Sequence, residues 1–163
     1  MKTIYLVRHA KSSWEDGNLD DHDRPLKGRG ISDAHLISAL LSQANDSPQA
    51  LFSSPATRAL HTAMIFARNL QFPFSAIAIR EELYMCSEQQ LLQLIKNLDE
   101  GVQSAMIFSH NPTITDFVNR CTDQRISNVP TTGVVSFHFD ISSWKDATFN
   151  ARLALFDYPK KHK

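Results

Sequence analysis

A chain of 163 residues, 42% hydrophobic and 21% charged, fits one domain spanning 1–163 and holds enough apolar material for a core without disulfide or metal staples. Its 17 basic and 17 acidic residues cancel, so overall charge gives no argument for nucleic acid or a membrane surface, and an anion site must be a local concentration of Arg, Lys and His. No apolar run is long enough to span a bilayer, the run after Met1-Lys2-Thr3 is too short for a signal-peptide core, and Cys86 and Cys121 form no C-x-x-C, so a cytoplasmic protein with reduced thiols is expected.

Ile4-Tyr5-Leu6-Val7 is a continuous β-rich apolar run, the pattern of a strand buried on both faces. A polar, acidic loop follows from Lys11 to about Arg24, punctuated by Pro25 and Gly28. Residues 30–41 then read as an amphipathic helix, with Ile31, Ala34, Ile37, Leu40 and Leu41 on one stripe. Ala50-Leu51-Phe52 is a second strand. Ser53-Ser54-Pro55 predicts a helix start, serine as cap and proline at the first helical position, continuing over 56–70. Residues 76–79 read as a third strand, and 87–98 as a helix opened by Ser-x-x-Gln. Residues 104–108 form the next strand, and Asn111-Pro112 starts a helix carrying Ile114, Phe117 and Val118. Residues 134–141 alternate in character, as do 149–156, and the two are expected to pair as an antiparallel edge. Strands separated by helices predict a three-layer α/β/α sandwich with a mainly parallel sheet.

In such sheets ligands bind beyond the carboxyl ends of the parallel strands. The first strand ends in Arg8-His9. The second runs through Ser53-Ser54-Pro55 into a helix whose first turn carries Arg58. The fourth ends in Ser109-His110-Asn111-Pro112. Parallel strands would set two arginines and two histidines on one crest, two of the three segments abutting helix N-termini that favour anions. A phosphate dianion suits that composite, because guanidinium forks match its oxygens in pairs. Each piece alone has a plainer reading: a structural Arg-His, a surface arginine, a half-buried histidine.

Leu6-Val7-Arg8-His9-Ala10-Lys11-Ser12 resembles the Arg-His signature of the histidine phosphatase, or phosphoglycerate-mutase-like, superfamily. Arg24-Pro25-Leu26 with Gly28 and Gly30, Ser53-Ser54-Pro55-Ala56-Thr57-Arg58-Ala59 with Thr62, and Ser109-His110-Asn111-Pro112 follow in the family's order. The short length, with no large insert before His110, looks most like the SixA-type phosphohistidine phosphatase branch. The resemblance implies that His9 attacks phosphorus and becomes a phosphohistidine. It implies that Arg8, Arg58 and His110 hold the phosphoryl oxygens, and that no metal or other cofactor is needed. The implied substrate is a phosphorylated protein, such as a histidine phosphotransfer domain, or a small phosphorylated metabolite. Glu82 falls where the superfamily's proton donor stands; a solvated turn glutamate is the competing reading. A weak acid would suit a phosphoramidate, whose imidazole leaving group needs less help than an alkoxide.

Two positions depart from the family pattern. Ala10 stands where glycine is common, and Glu15 where many members carry a phosphate-binding asparagine, so Glu15 is expected to turn away. Asp20-Asp21-His22-Asp23 carries metal-ligand residue types, but adjacent residues cannot all converge on one ion; an acidic loop rimming the pocket is expected, with Arg24 joining or pairing with it. Trp14 is read as either a cover for the phosphate site or an anchor for the loop. Thr131-Thr132-Gly133 is read as a plain turn, with a hydroxyl aimed at His9 or His110 as the alternative. A mutase needs a larger, closed pocket, and a non-catalytic phosphate-binding module needs no nucleophile.

Overall fold

Alternate residues of the central strand β1 (Lys2–Arg8) serve two different cores: Ile4 and Leu6 pack on one face, Tyr5 and Val7 on the other. Apolar side chains on both faces make the run hydrophobic at every position instead of alternating. The computed structural model describes residues 1–45 and 47–163. Among them β1 is joined in one sheet by β2 (Ala50–Ser53), β3 (Ile77–Ile79), β4 (Ser104–Ser109), β5 (Val134–Phe139) and β6 (Arg152–Asp157), in the order β3-β2-β4-β1-β5-β6. The first four strands of that order are mutually parallel; β5 and β6 add antiparallel.

Helices α1 (Gly28–Gln43) and α2 (Thr57–Asn69) cover one face. There Ala34, Ile37, Leu41, Ala63 and Phe66 meet Tyr5, Val7, Met106 and Phe108. Helices α3 (Glu88–Lys96) and α4 (Thr113–Cys121) cover the other, where Leu91, Ile95, Ile114, Phe117 and Val118 meet Ile4, Leu6 and Ile107. This is the expected three-layer sandwich, with a parallel body and an antiparallel edge. No helix of the described residues is long and apolar enough to cross a membrane.

Local signals fared unevenly. Ser87 and Gln90 form the capping box at the start of α3, each side chain bonding the other's backbone N–H at 3.1 and 2.8 Å. The serine cap expected for α2 does not form. That helix begins at Thr57, and Ser54 Oγ instead accepts the Ala56 N–H at 3.2 Å. At α4 the cap position is Pro112, and Asn111 Oδ1 accepts from the Thr115 N–H and hydroxyl. The edge strands also differ from the expected bounds: β5 stops at Phe139 and β6 starts at Arg152. Phe149 is drawn into the α3/α4 core instead, 5.3 Å from the Phe117 ring and under the Arg120 guanidinium at 4.1 Å.

Candidate active site

Parallel register brings the strand ends level. Arg8 of β1 pairs with Ser109 of β4, and Ser53 of β2 with Phe108. Backbone bonds continue beyond them: the His9 N–H donates to the Ser109 carbonyl at 3.2 Å, and the Ser54 N–H to the Phe108 carbonyl at 3.0 Å. His9 and His110 therefore lie side by side, ring centroids 5.2 Å apart. Arg58 reaches them from the first turn of α2. His9, Arg58 and His110 are buried and Arg8 half-buried, with an Arg8 Nη1–H donating to the Val129 carbonyl at 2.9 Å. The four residues singled out at the strand ends thus form one cluster.

The turn behind His9 is held from three sides. The Thr132 N–H donates to the carbonyls of both Arg8 and His9 at 3.1 Å, a reach that sets Thr132 at φ 62°. A β-branched residue avoids that region unless its surroundings impose it. The Thr131-Thr132-Gly133 turn therefore acts through its backbone; the buried Thr132 hydroxyl has no partner among the described residues. The Ala10 N–H donates to Thr62 Oγ1 at 2.9 Å, and that hydroxyl donates to the Arg58 carbonyl at 2.7 Å. One threonine so ties the His9 turn to the Arg58 turn. Gly30 lets α1 pass against the Lys11 backbone, where a Cβ would stand 2.3 Å from the Lys11 carbonyl oxygen.

Within this frame His9 Nδ1–H donates to the Ala10 carbonyl at 2.8 Å, leaving Nε2 with its lone pair. Burial pushes the His9 imidazolium down to about 4, against the Ala10 hydrogen bond and with help from Arg58, Arg8 and Arg24. Burial, then His9 and Arg58, bring His110 down to about 3. Both rings are neutral at pH 7. His110 Nε2 lies 2.8 Å from Ser54 Oγ. Its Nδ1, with the Nε atoms of Arg8 and Arg58, is buried without a partner among the described residues. Unpaired buried polar atoms are costly, and a multi-oxygen anion offers them acceptors while the guanidiniums balance its charge.

The 11–24 loop contributes more than a rim. Arg24 is buried; it donates from Nη1 to Ser12 Oγ at 2.7 Å and from Nε to the Asp21 carboxylate at 3.2 Å. The Trp14 ring, 69% exposed, stacks 3.5 Å from the Arg24 guanidinium and so covers that arginine. Glu15 is exposed. Asp21, in the single-turn helix Asp21–Asp23, turns inward to Arg58 at 2.9 Å and to the Tyr84 hydroxyl at 2.7 Å. Among the described residues no three His, Cys, Asp or Glu side chains are grouped so as to hold a metal ion. Glu82 lies exposed in the turn Glu81–Leu83, on the wall of a groove of about 560 Å³ shared with Arg80, Tyr84 and Met85. Tyr84, on the same wall and with its ring 5.6 Å from His110, marks where groove and cluster meet. Sequence reasoning passed over Ser54 and Tyr84 as site residues. Ser54 was recoverable from its place at a parallel strand's carboxyl end, whereas Tyr84 and Asp21, 63 positions apart, share no local pattern.

The sequence profile of the histidine phosphatase superfamily (branch 1) matches residues 4–85. An uncharacterized protein of Mycobacterium leprae is 29% identical over 94% of this chain and 100% of its own length. A chloroplastic protein of Arabidopsis thaliana, also uncharacterized, is 46% identical over 61 residues, and the chain spans 28% of its length. Among solved structures, one from Agrobacterium tumefaciens, assigned as a phosphohistidine phosphatase SixA, superposes with a TM-score of 0.84 at 27% identity, covering 97% of this chain and 98% of that one. The protein histidine phosphatase SixA solved with tungstate gives 0.80 at 22% identity over 99% of each chain, a likeness of fold.

Proposed function

The chain belongs to the histidine phosphatase superfamily, and on that premise we propose that it hydrolyses phosphoryl groups without a metal, through a phosphohistidine on His9, with protein phosphohistidine as its substrate. The observation that carries this reading is the state of His9: neutral, its tautomer fixed by the Ala10 carbonyl, and set against arginines. A neutral imidazole without such a partner exchanges its proton between the two ring nitrogens; this one keeps it on Nδ1 and so holds its lone pair on Nε2. Phosphoryl transfer depends on in-line positioning and charge stabilisation more than on covalent assistance, and Arg8, Arg58 and His110 supply both around one point. The Nε2 lone pair attacks phosphorus as the bond to the leaving nitrogen breaks, its electron pair departing with the imidazole. Water then attacks the phosphoenzyme, the P–N bond returns its pair to Nε2, and phosphate leaves carrying both protons of that water.

The substrate class rests on two supports. The Agrobacterium tumefaciens neighbour is assigned as a phosphohistidine phosphatase. The groove running from Tyr84 past Gln90 and Leu94 leaves room beside the cluster for more than a phosphate. The test is metal-free turnover, by the wild type and His9→Ala, of a phosphohistidine-bearing phosphotransfer domain and of an aryl phosphate. Rapid loss of the protein phosphohistidine with slow aryl hydrolysis, both requiring His9, is expected. Rapid hydrolysis of the ester alone would move the substrate to a small metabolite. Turnover that survives His9→Ala, or is absent throughout, would sink the catalytic reading, the latter leaving a phosphate-recognition module.

A further inference from the structure

Arg58 offers the fork that a phosphoryl group needs, and Asp21 already holds both of its prongs. Arg58 Nη2 donates to the Asp21 carboxylate at 2.9 Å, and Nη1 donates to the Asp21 backbone carbonyl. The same carboxylate accepts from the Tyr84 hydroxyl at 2.7 Å and from Arg24 Nε at 3.2 Å. The carboxylate matches the phosphoryl group in the sign of its charge, and its oxygen and the Asp21 backbone carbonyl together occupy the two places that phosphoryl oxygens would take on the fork. Partial burial pushes the Asp21 carboxyl up, but the hydrogen bonds from Tyr84 and Arg58 outweigh it and bring it to about 2, so it stays an anion. Its anchorage is superficial: the side chain is 48% exposed and sits in a single helical turn that buries no residue. Leaving Arg58 disturbs no core contact.

We propose that Asp21 is a product-release residue, whose carboxylate competes with phosphate for the Arg58 fork, yields it to the incoming substrate and reclaims it as inorganic phosphate departs. This rests on the phosphatase reading. A cationic pocket that stabilises a phosphoryl transition state also grips its product, and release then limits turnover. A tethered anion competes at an effective concentration of roughly millimolar or above, whatever the surrounding solution contains. Because it lowers the population of the open fork, it weakens every anion by the same factor. The gain lies in the exit step. Tyr84 is the second element of the device: its hydroxyl donates to the carboxylate at 2.7 Å and lies beside the Arg58 guanidinium as well, so it closes the same ring of contacts.

The experiment is calorimetric titration of the full chain with inorganic phosphate, paired with product inhibition of aryl phosphate hydrolysis. Asp21→Asn is expected to tighten phosphate binding about tenfold and lower its inhibition constant equally, because a neutral amide competes poorly for a guanidinium. Tyr84→Phe, which keeps the carboxylate and removes one hydrogen bond to it, is expected to tighten binding about twofold to threefold; it serves if Asp21→Asn does not fold. Unchanged or weaker phosphate binding in the folded variants overturns the proposal, because Asp21 would then be a scaffold that positions Arg58. Arg58→Ala separates the two levels: if it binds phosphate as the wild type does, the phosphate pocket itself is misassigned and the proposal goes with it.

Discussion

The crest of the sheet has two wings held by different means. On one, Arg8-His9 and Ser109-His110 extend adjacent parallel strands and are fixed by backbone bonds to Ser109, Gly133 and Thr132. On the other, the exposed side chain of Asp21 links Arg24, Tyr84 and Arg58 by side-chain bonds. Backbone bonds in a buried sheet break only when the sheet opens, whereas side-chain bonds at an exposed turn exchange singly. The nucleophile therefore sits on the rigid wing, where preorganisation favours transition-state stabilisation. The groups that can trade places with a ligand sit on the looser one. Arg58 belongs to both: its backbone is tied through Thr62 to the His9 turn, and its fork is held by Asp21.

The severest way to break this comparison is to remove the shared residue. Arg58→Ala should lower kcat/KM by about a hundredfold or more, the cost of losing one preorganised charge donor, while leaving the melting temperature within a few degrees. A loss confined to KM would mean that Arg58 only gathers substrate. A smaller break tests the rigid wing alone. Gly30→Ala places a methyl against the Lys11 backbone, which has little freedom to retreat. It should destabilise by about 1–3 kcal/mol and, by shifting the turn after His9, lower kcat roughly tenfold. Unchanged kcat in a destabilised variant would show that the turn is held by Thr62 and Thr132 without α1.

How much of this the sequence discloses follows the same division. The rigid wing was legible because its determinants are local: an apolar run, then Arg-His; another run, then Ser-His-Asn-Pro. Strand ends in a parallel sheet share a crest, so Arg8, His9, Arg58 and His110 could be placed together without a structure. The loose wing was legible only in its local part: an acidic loop that Arg24 joins or pairs with was expected, and the pairing is found at Asp21, three positions away. Nothing near Asp21 in the chain says that it will meet Tyr84 and Arg58, since three separate segments converge there only after α2 and β3 are packed. The capping serine of α2 misled for a related reason. Ser54 satisfies a local backbone N–H as serines do before helices, but the tertiary neighbour His110 fixes its final use.

The protonation of His9 gives a gentler probe. With the imidazolium brought to about 4, the neutral nucleophile persists at acidity that would protonate an ordinary histidine. At pH 5.5 phosphoenzyme formation should exceed that expected of an unshifted histidine by about tenfold, once the substrate's own phosphoryl titration is measured separately. The acid limb should fall near 4. The same lowered values act on stability with a definite sign. His9 and His110 are held neutral in the fold, so the unfolded chain binds more protons below about 6.5, and stability should decline as pH falls from there through about 4 and about 3. An acid limb near 6.5 would mean that water reaches His9 more freely than its burial allows.

The smallest effect is expected at Glu82, and it depends on the leaving group. Its carboxylate is exposed on the groove wall, outside the contacts that unite Arg8, His9, Arg58 and His110. An alkoxide must gain a proton as it departs, and a general acid there contributes typically a hundredfold or more; an imidazole is a better leaving group and gains far less. Glu82→Gln should therefore change protein phosphohistidine turnover by less than about threefold. With an alkyl phosphate the same variant reads the groove wall directly. A loss of about a hundredfold would make Glu82 the proton donor and shift the favoured substrate toward phosphate esters, because an enzyme adapted to phosphohistidine has no need of a placed acid. Equal indifference to both substrates would place Glu82 outside the chemistry and leave the phosphoramidate as the substrate that this cluster suits.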